Sequence, residues 1–453
     1  MGGVSVSISV PLPYRPSSSN LDFLISSLLY LTVSTWKNKL ASSHSNQRAT
    51  VLFQTMNKEE YISCTDENLL HVYNRFPVIF HHGEGVYLYD TEDKKYLDFA
   101  SGIGVMALGY HDREYTQALK EQVDQLLHTS NLYYHQPLHD AGEAVCEASG
   151  MDKVFFTNSG AEAIEGALKT AKKYAYLKHG RKNYEIIAMN HSFHGRTVGS
   201  LSVTGNEHYR EAFYPLMDGA RFAEFNDYES VASQVNENTC AIIMETIQGE
   251  GGIYPADESF LKKIRSLCDE KGILLILDEI QCGVGRSGSM FAFQKYGIRP
   301  DILTMAKALG GGVPVGAFAV TDEVAANSLK PGDHGTTYGG NPLVTRAVKT
   351  SLDLMKKRKI TDHVNAMTPY FENILEDLVN RYDFAKEHRG MGFMQGVVLT
   401  IPVGEVVKKG LEEGIILLSA GNDVLRMLPP LVMEKEGFDE MHEKLTRIFD
   451  SFA

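Results

Sequence analysis

Cysteine is scarce in this sequence, which has five cysteines among 453 residues. They are scattered, odd in number and never spaced as C-x-x-C, so the sequence argues against a disulfide framework and against a zinc knuckle. His191 and His194 stand close together, but no third ligand follows at metal spacing, and we assign no metal. We expect reduced, buried thiols in a cytosol-like compartment. The five cysteines are Cys64, Cys146, Cys240, Cys268 and Cys282.

Basic residues are also in deficit, because 44 Lys and Arg stand against 57 Asp and Glu and the formal net charge is -13. Surfaces that bind nucleic acids cluster Lys and Arg against phosphates, so this balance argues against a nucleic-acid partner and favours a small molecule. The apolar stretch 21–33 is too short for a comfortable membrane span, and we expect no membrane. The 43% of hydrophobic residues suffices for a large packed core.

Acidic residues are nearly missing before Met56, where Asp22 is the only one and serine is frequent. Such a composition fits a transit or signal segment, but the opening MGGVSV lacks the early positive charge of those segments. We therefore interpret residues 1–55 as an N-terminal extension that is disordered or outside the mature fold. We expect a cytoplasmic protein, or an organellar one if residues 1–55 are a transit peptide.

The rest of the sequence alternates short apolar runs with helical patterns. The segment GVYLYDTEDKKYLDF predicts a hairpin, and the later runs VFFT, EIIAM, CAIIME, GILLILDE, DILTMA and VGAFAV predict a mostly parallel sheet covered on both faces. The fold class is therefore α/β, with a smaller α+β domain from about residue 343, where helical patterns mix with GFMQGVVL and VLRML. We predict an N-terminal segment 56–109 that contributes to the small domain, a large domain 110–342 and a C-terminal small domain 343–453.

In sheets of this kind, ligands bind beyond the carboxyl ends of the strands, so the polar residues that follow each run are candidate site residues. After VFFT, Asn158 or Ser159 can cap a helix whose first backbone N–H groups, at Gly160 and Ala161, suit a phosphate. An ordinary capped helix is the alternative. After EIIAM, the segment NHSFHGRT brings an aromatic, a histidine and an arginine near the same edge.

Two further strand ends carry charged residues. Asp278 follows six apolar residues and must be hydrogen-bonded, paired or exposed there. It suits a pyridinium nitrogen, and a structural pair with Lys or Arg is the alternative. Lys307 directly follows DILTMA, at the end of a predicted strand. Burial there lowers the pKa of an amine and favours a nucleophile that forms a Schiff base. The segment GVGRSG fits G-x-G-x-x-G, but DEIQC intervenes after the strand and no clear helix follows, which argues against a dinucleotide site.

Seven motifs occur in this order: NSGAEA, FHGRT, ETIQGEGG, LDEIQCGVGRSG, MAKALGGG, HGTTYGGNP and RMLPPLV. Together they resemble the class III pyridoxal-phosphate aminotransferases, the family of acetylornithine, ornithine and 4-aminobutyrate aminotransferases. The resemblance runs from about Arg75 to the end. It implies the fold-type I architecture, with a seven-stranded, mostly parallel sheet in the large domain, and a homodimer whose active sites are shared between subunits.

The resemblance also implies a cofactor, pyridoxal 5'-phosphate, and the residues that hold it. Lys307 matches the catalytic lysine that forms the Schiff base and shuttles the proton, and Asp278 matches the catalytic acid on the pyridine nitrogen. Gln281 matches the residue near the phenolic oxygen, while Phe193 and Ile280 match those that pack on the two ring faces. The other cofactor-binding positions are Ser159, Gly160, Ala161, Glu245 and Thr337, the last donated by the neighbouring subunit.

For the substrates, the resemblance implies that Arg196 and Arg426 bind carboxylates and that Glu250 masks the second arginine when the donor lacks that carboxylate. We expect ping-pong transfer of an ω-amino group from N-acetylornithine, as in arginine biosynthesis, to 2-oxoglutarate, which gives glutamate and a semialdehyde. The alternatives are a 4-aminobutyrate, ornithine δ- or diamine aminotransferase, and a racemase or aminomutase. Ile164 and Met106 depart from the pattern usual in acetylornithine enzymes.

Overall fold

The computed structural model describes residues 56–180 and 184–453. The predicted N-terminal extension, residues 1–55, lies outside the described residues. The described residues divide into two compact units, 56–79 and Phe80–Ala453. The described part of the first unit contains the helix Lys58–Asn68, which begins with a capping box between Asn57 and Glu60.

The strands of the second unit are numbered in chain order. They are β1 (Phe80–Glu84), β2 (Tyr87–Asp90), β3 (Lys95–Asp98), β4 (Lys153–Thr157), β5 (Glu185–Met189), β6 (Ala220–Ala223), β7 (Thr239–Glu245), β8 (Ile247–Gln248), β9 (Tyr254–Pro255), β10 (Leu274–Asp278), β11 (Ile302–Met305), β12 (Gly316–Val320), β13 (Ala385–Met391), β14 (Met394–Leu399), β15 (Ile415–Ile416), β16 (Leu418–Ala420) and β17 (Val424–Met427).

The helices of the second unit lie between these strands. The longer ones are Arg113–Gln125, Gln136–Ser149, Gly160–His179, Glu258–Lys271, Pro342–Lys357, Ile360–Arg381, Val403–Glu412 and Lys435–Asp450. Shorter helical segments are Ser101–Gly104, Val198–Ser202, Glu207–Arg210, Glu211–Phe213, Tyr228–Gln234, Ala292–Tyr296, Lys307–Gly310 and Asp322–Ala326. Among the described residues, we find no helix with the length and apolarity that crossing a membrane requires.

The central sheet has seven strands in the order β4-β12-β11-β10-β7-β5-β6. All neighbours are parallel except β12, which is antiparallel to both β4 and β11. The predicted α/β class and mostly parallel sheet are therefore confirmed. The apolar runs predicted six of these strands and missed β6, a short edge strand in which the exposed Arg221 interrupts the apolar residues.

The sheet is covered on both faces, which explains why its strands are apolar throughout. In β10, Leu275 and Leu277 join the core on one face, while Leu274 and Ile276 join the core on the other. Successive side chains of a strand point to opposite faces, so a strand buried on both sides shows no polar alternation. The parallel register then brings the carboxyl ends of neighbouring strands to one edge, where Asp278 pairs with Glu245 of β7.

Two four-stranded sheets and a two-stranded pair, β8 with β9, lie outside the central sheet. The predicted hairpin is confirmed as β2 and β3, which are antiparallel, and β15 adds to β3 in parallel, so that a strand from late in the chain joins an early hairpin. The order of the other sheet is β13-β14-β17-β16. The division into 56–109, 110–342 and 343–453 stays a prediction.

The segment GVGRSG forms turns after β10, and the next helical segment begins only at Ala292. Its Arg286 is fully buried and donates hydrogen bonds to the carbonyl oxygens of Phe393, at 3.2 Å, and Pro429. The backbone N–H of Phe393 returns a bond of 2.9 Å to the Arg286 carbonyl. Through these hydrogen bonds, the segment after β10 is connected to the chain at Phe393 and Pro429.

Candidate active site

A cavity of about 490 Å³ opens at the carboxyl edge of the central sheet. Residues at the ends of β7 and β10, and residues that follow β4, β5, β10 and β11, line it together, as expected for strands that end at one edge. The predicted site residues in its lining are Ser159, Gly160, Ala161, Phe193, Arg196, Glu245, Asp278, Ile280, Gln281 and Lys307. The sequence did not single out the lining residues Val105, Gly312, Val313, Pro314 and Val315 for this site.

Asp278 is buried at the end of β10, and its carboxylate is held by several donors. The Oδ1 atom accepts from the Ile280 N–H at 3.0 Å and from the Thr304 hydroxyl at 3.2 Å. The Oδ2 atom lies 2.7 Å from Nδ1 of His194. These contacts fix the carboxylate in the cavity wall. A buried carboxylate held in this way is an acceptor for a cationic ring nitrogen.

Lys307 lines the cavity, two residues after the end of β11. Burial lowers the pKa of its amine, while the nearby Glu250 carboxylate acts in the opposite direction. Its backbone φ is +48°, a left-handed conformation that costs a non-glycine residue on the order of 1–3 kcal/mol and clusters at functional sites. Position, pKa and backbone conformation together suit an amine nucleophile.

Glu245 ends β7 and lies beside Asp278 in the sheet register. Its carboxylate accepts from the backbone N–H groups of Phe193 and Gly249, both at 3.0 Å. Burial, reinforced by the charge of Asp278, raises the pKa of Glu245 to about 7, although His194 opposes this shift. Glu245 therefore anchors the backbone of the loop that presents the Phe193 ring.

The helix Gly160–His179 begins at the cavity, and Ser159 is its N-cap, with Oγ accepting from the Glu162 N–H at 3.2 Å. The first N–H groups of a helix have no partner within the helix and carry partial positive charge, so the amides of Gly160 and Ala161 suit an anion. A Cβ atom at Gly160 would lie 2.9 Å from Cδ1 of Ile280. A larger residue at this position would therefore require the Ile280 side chain to shift.

The two predicted carboxylate-binding arginines differ in their surroundings. Arg426 is buried, and its Nη1 lies 2.5 Å from the Glu250 carboxylate and 3.2 Å from Oε1 of Gln281. Burial disfavours the ionised Glu250, but Arg426 outweighs that effect and lowers the pKa of the carboxyl group. Arg196 is exposed and makes no ion pair within residues 56–180 and 184–453. Its guanidinium carbon lies 3.9 Å from the ring centroid of Tyr209.

The match to known proteins is extensive. Residues 70–449 match the model of the aminotransferase class-III family. The chain belongs to this family. Acetylornithine aminotransferase of Methanocaldococcus jannaschii is 46% identical over 394 residues, which cover 87% of this chain and 99% of the relative. The protein of the same name from Clostridium acetobutylicum is 44% identical and covers 82% of this chain and 96% of the relative.

Solved structures of aminotransferases share the fold. Ornithine aminotransferase of Toxoplasma gondii superposes with a TM-score of 0.86 at 30% identity, and the match covers 90% of this chain and 99% of that one. Acetylornithine aminotransferase of Elizabethkingia anophelis gives a TM-score of 0.79 at 30% identity and covers 88% of this chain and 100% of that one. These similarities confirm the predicted fold-type I architecture and the aminotransferase class.

Class III aminotransferases are pyridoxal-phosphate enzymes, and the cavity of this aminotransferase fits that cofactor. It offers a buried amine at Lys307, a buried carboxylate at Asp278 and a helix N-terminus at Gly160, which are the groups that an aldehyde, a ring nitrogen and a phosphate require. The lining has no cysteine and no group of three metal ligands among the described residues. The predicted cofactor is therefore supported by the site itself.

Two predicted residues need separate comment, and one residue was missed. Thr337 is exposed and does not line the cavity of its own chain. Glu250 lines a second cavity of about 210 Å³, together with Tyr209. His194, to which the sequence analysis assigned no role in the site, is buried against Asp278. Its position directly after Phe193 was the only signal for it.

Proposed function

We propose that this aminotransferase transfers the ω-amino group of N-acetylornithine to 2-oxoglutarate, which gives glutamate and a semialdehyde by a ping-pong mechanism. The observation that carries the proposal is the contrast between Arg196, which is unpaired in the described structure, and Arg426, which is covered by Glu250. The curated relatives named acetylornithine aminotransferase, which are 40–46% identical, support the choice of donor.

The two arginines suit the two substrates of the cycle in turn. A donor with one carboxylate engages Arg196 and leaves the ion pair of Arg426 with Glu250 intact. A dicarboxylic acceptor needs both arginines, so Glu250 must leave Arg426 when 2-oxoglutarate binds. Guanidinium groups hold carboxylates in bidentate fashion, which orients the chain of either substrate toward Lys307.

The cofactor, when bound, supplies an electron sink that stabilises negative charge on the substrate carbon. Lys307 is the residue that would hold it covalently, and the lowered pKa leaves Nζ free to take up and return the proton of the substrate carbon. Asp278 would hold the ring nitrogen in its protonated form. Phe193 and Ile280 would pack on the two ring faces, and Gln281 would lie near the phenolic oxygen.

The phosphate would be held by Ser159 and by the amides of Gly160 and Ala161, with Thr337 donated by a second copy of the chain. We propose a homodimer on this basis, because Thr337 is exposed and outside the cavity of its own chain. Tyr338, the next residue in the sequence, is 62% exposed, and Tyr134 is 102% exposed in the segment whose Asn131 side chain donates to the Thr336 carbonyl at 3.2 Å. Exposed apolar side chains in a group are typical of an interface between subunits.

A panel of amino donors tests the proposed substrate. Purified enzyme with pyridoxal phosphate and 2-oxoglutarate is assayed for glutamate with N-acetylornithine, ornithine and 4-aminobutyrate as separate donors. We expect the highest kcat/KM with N-acetylornithine. A higher value with 4-aminobutyrate contradicts the choice of donor but keeps the reaction. Turnover of any substrate without an oxo acid would indicate a racemase or aminomutase instead.

Ornithine is the second candidate donor, since solved ornithine aminotransferases include the Toxoplasma gondii structure with a TM-score of 0.86. Ornithine differs from N-acetylornithine by a free α-ammonium group in place of an amide. Comparison of the two donors at equal concentration therefore separates the candidates directly. A cytoplasmic location is proposed as well, and fractionation of the source cells tests it.

A further inference from the structure

Tyr209 lies outside the motifs that identify the family, yet it is in direct contact with a proposed substrate-binding arginine. The guanidinium carbon of Arg196 lies 3.9 Å from the ring centroid of Tyr209 and 5.3 Å from that of Phe193. The two rings are themselves close, with centroids 6.2 Å apart and planes at 86°. Arg196 therefore lies against two aromatic rings, one of which, Phe193, lines the cofactor cavity.

The backbone that carries Arg196 is fixed independently of these rings. The Glu165 carboxylate accepts from the Thr197 hydroxyl at 2.5 Å and from the N–H groups of Gly199 and Ser200 at 3.0 and 3.1 Å. The Arg196 side chain has no such polar anchor within residues 56–180 and 184–453, where it forms neither an ion pair nor a side-chain hydrogen bond. Its contacts with the rings are what orient it.

An arginine that binds a substrate carboxylate needs two properties that conflict. Its long side chain must be held in place, which an acidic neighbour usually achieves, but such a neighbour occupies the donor groups and cancels the charge. Arg426 has such an acidic neighbour, because Glu250 forms an ion pair with it. An aromatic face attracts the cation without taking its N–H donors, so the guanidinium edge stays available for a carboxylate.

We propose that Tyr209 is a positioning residue for substrate binding, which holds the Arg196 guanidinium by a cation–π contact so that it receives the carboxylate of the substrates. This inference rests on the proposed function, because it takes Arg196 as the carboxylate site. The role belongs to the aromatic face of the ring. The Tyr209 hydroxyl makes no hydrogen bond within the described structure, so phenylalanine should replace tyrosine at this position.

Three variants test the proposal on the holoenzyme. Tyr209→Leu removes the ring, Tyr209→Phe keeps it, and Tyr176→Leu is the matched control, since Tyr176 is 52% exposed on the helix Gly160–His179 and makes no cation–π contact with the described arginines. Steady-state kinetics with N-acetylornithine give kcat and KM. We expect Tyr209→Leu to raise KM about two- to fivefold with little change in kcat, the loss typical of one cation–π contact at an exposed site. Tyr209→Phe and Tyr176→Leu should behave as the parent enzyme.

A second donor separates carboxylate binding from general damage. Butylamine has an amino group and no carboxylate, so its half-reaction, followed by cofactor absorbance at high amine concentration, should be equally fast in all four proteins. A Tyr209→Leu enzyme that loses the butylamine reaction as strongly as the N-acetylornithine reaction overturns the proposal. So does a Tyr209→Leu enzyme with the KM of the parent, or a Tyr209→Phe enzyme as impaired as the leucine variant.

Calorimetry with glutarate distinguishes failure of this inference from failure of the proposed function. Glutarate is a dicarboxylate without a reactive oxo group, and its dissociation constant from the holoenzyme should rise about two- to fivefold in Tyr209→Leu and stay unchanged in Tyr209→Phe. If the parent enzyme turns over none of the donors but this pattern holds, the choice of substrate fails and the role of Tyr209 stands. If the parent binds no glutarate, or all variants bind it equally, the role of Tyr209 is wrong.

Discussion

His194 places its Nδ1 atom 2.7 Å from Oδ2 of Asp278, and both side chains are buried. The contact joins the loop after β5 to the end of β10, across 84 positions of sequence. It fixes one oxygen of Asp278, while the Ile280 N–H and the Thr304 hydroxyl fix the other. The Nε2 atom of His194 is buried without a partner in the described structure, so the whole polar function of this ring is directed at Asp278.

Replacement of His194 should therefore weaken catalysis through Asp278. Loss of a hydrogen bond to a buried charged group costs about 1.5–3 kcal/mol. We expect His194→Ala to lower kcat by roughly 10- to 100-fold, which is the same free energy expressed as a rate. His191→Ala is the matched control, because His191 lies on the same loop but is exposed. Equal kcat in the His194→Ala enzyme and the parent would show that Asp278 needs no support from the imidazole.

The pH dependence of cofactor attachment should report the lowered pKa of Lys307. The unprotonated amine is the nucleophile, so the rate of attachment to the apoenzyme rises as pH passes through the pKa of the group. Because burial lowers this pKa below its usual value of 10.5, we expect the midpoint below pH 10.5. Stopped-flow absorbance after mixing apoenzyme with pyridoxal phosphate measures it. A midpoint above 10.5 contradicts the burial argument.

Glu250→Gln should shift the same midpoint further down. The Glu250 carboxylate stabilises the charged form of Lys307 and so raises its pKa, whereas Arg426 lowers it. The variant removes the influence that raises the Lys307 pKa and keeps the one that lowers it, so the pKa should fall. Asp423→Asn is the control, because Asp423 lines the same second cavity as Glu250 but makes no ion pair with Arg426. An upward shift in Glu250→Gln would refute the sign of this coupling.

The discrimination between donors should depend on the ion pair of Glu250 with Arg426. In Glu250→Gln, Arg426 loses its charged partner, so glutamate, with its second carboxylate, should become a better donor relative to N-acetylornithine. We expect the kcat/KM for N-acetylornithine divided by that for glutamate to fall about tenfold, which corresponds to one charge-assisted hydrogen bond. The measurement is steady-state kinetics with each donor. An unchanged ratio would mean that Glu250 does not control access to Arg426.

The sequence predicted part of the candidate site from local features, which do not depend on the order of the strands in the sheet. Asp278 and Lys307 end apolar runs, and a charged residue in that position is informative by itself. Ser159 and Gly160 belong to a short N-capping pattern at the start of the helix Gly160–His179. These positions gather in one cavity because parallel strands end at the same edge.

Other features depend on pairings that no local pattern encodes. The order of strands puts β7 beside β10, which brings Glu245 next to Asp278, and the sequence runs do not specify that neighbour. Glu250 and Arg426 are 176 positions apart, and only the resemblance to a family connected them in advance. Tyr209 lies on a helix of four residues without apolar periodicity, so its contact with Arg196 became visible only in three dimensions.

The proposed sharing of the active site between subunits predicts that two defective variants restore each other. Lys307→Ala should abolish turnover and borohydride fixation of the cofactor, because the amine is missing. Thr337→Ala should weaken cofactor binding in the site to which that threonine is donated. If Thr337 acts across the interface, a hybrid dimer of the two variants contains one site with Lys307 from one chain and Thr337 from the other. Such a site is complete.

The test mixes the two purified variants, allows the subunits to exchange under mild denaturant and assays transamination at low pyridoxal phosphate, where Thr337→Ala alone is nearly inactive. Random exchange makes hybrids about half of all dimers, and each hybrid has one complete site, so about a quarter of the sites of a parent preparation should regain activity. Light scattering on the same samples checks that they are dimers. Activity that never exceeds the mean of the unmixed variants would mean that Thr337 does not contribute to the site of the other subunit. The argument for a shared site would then fail.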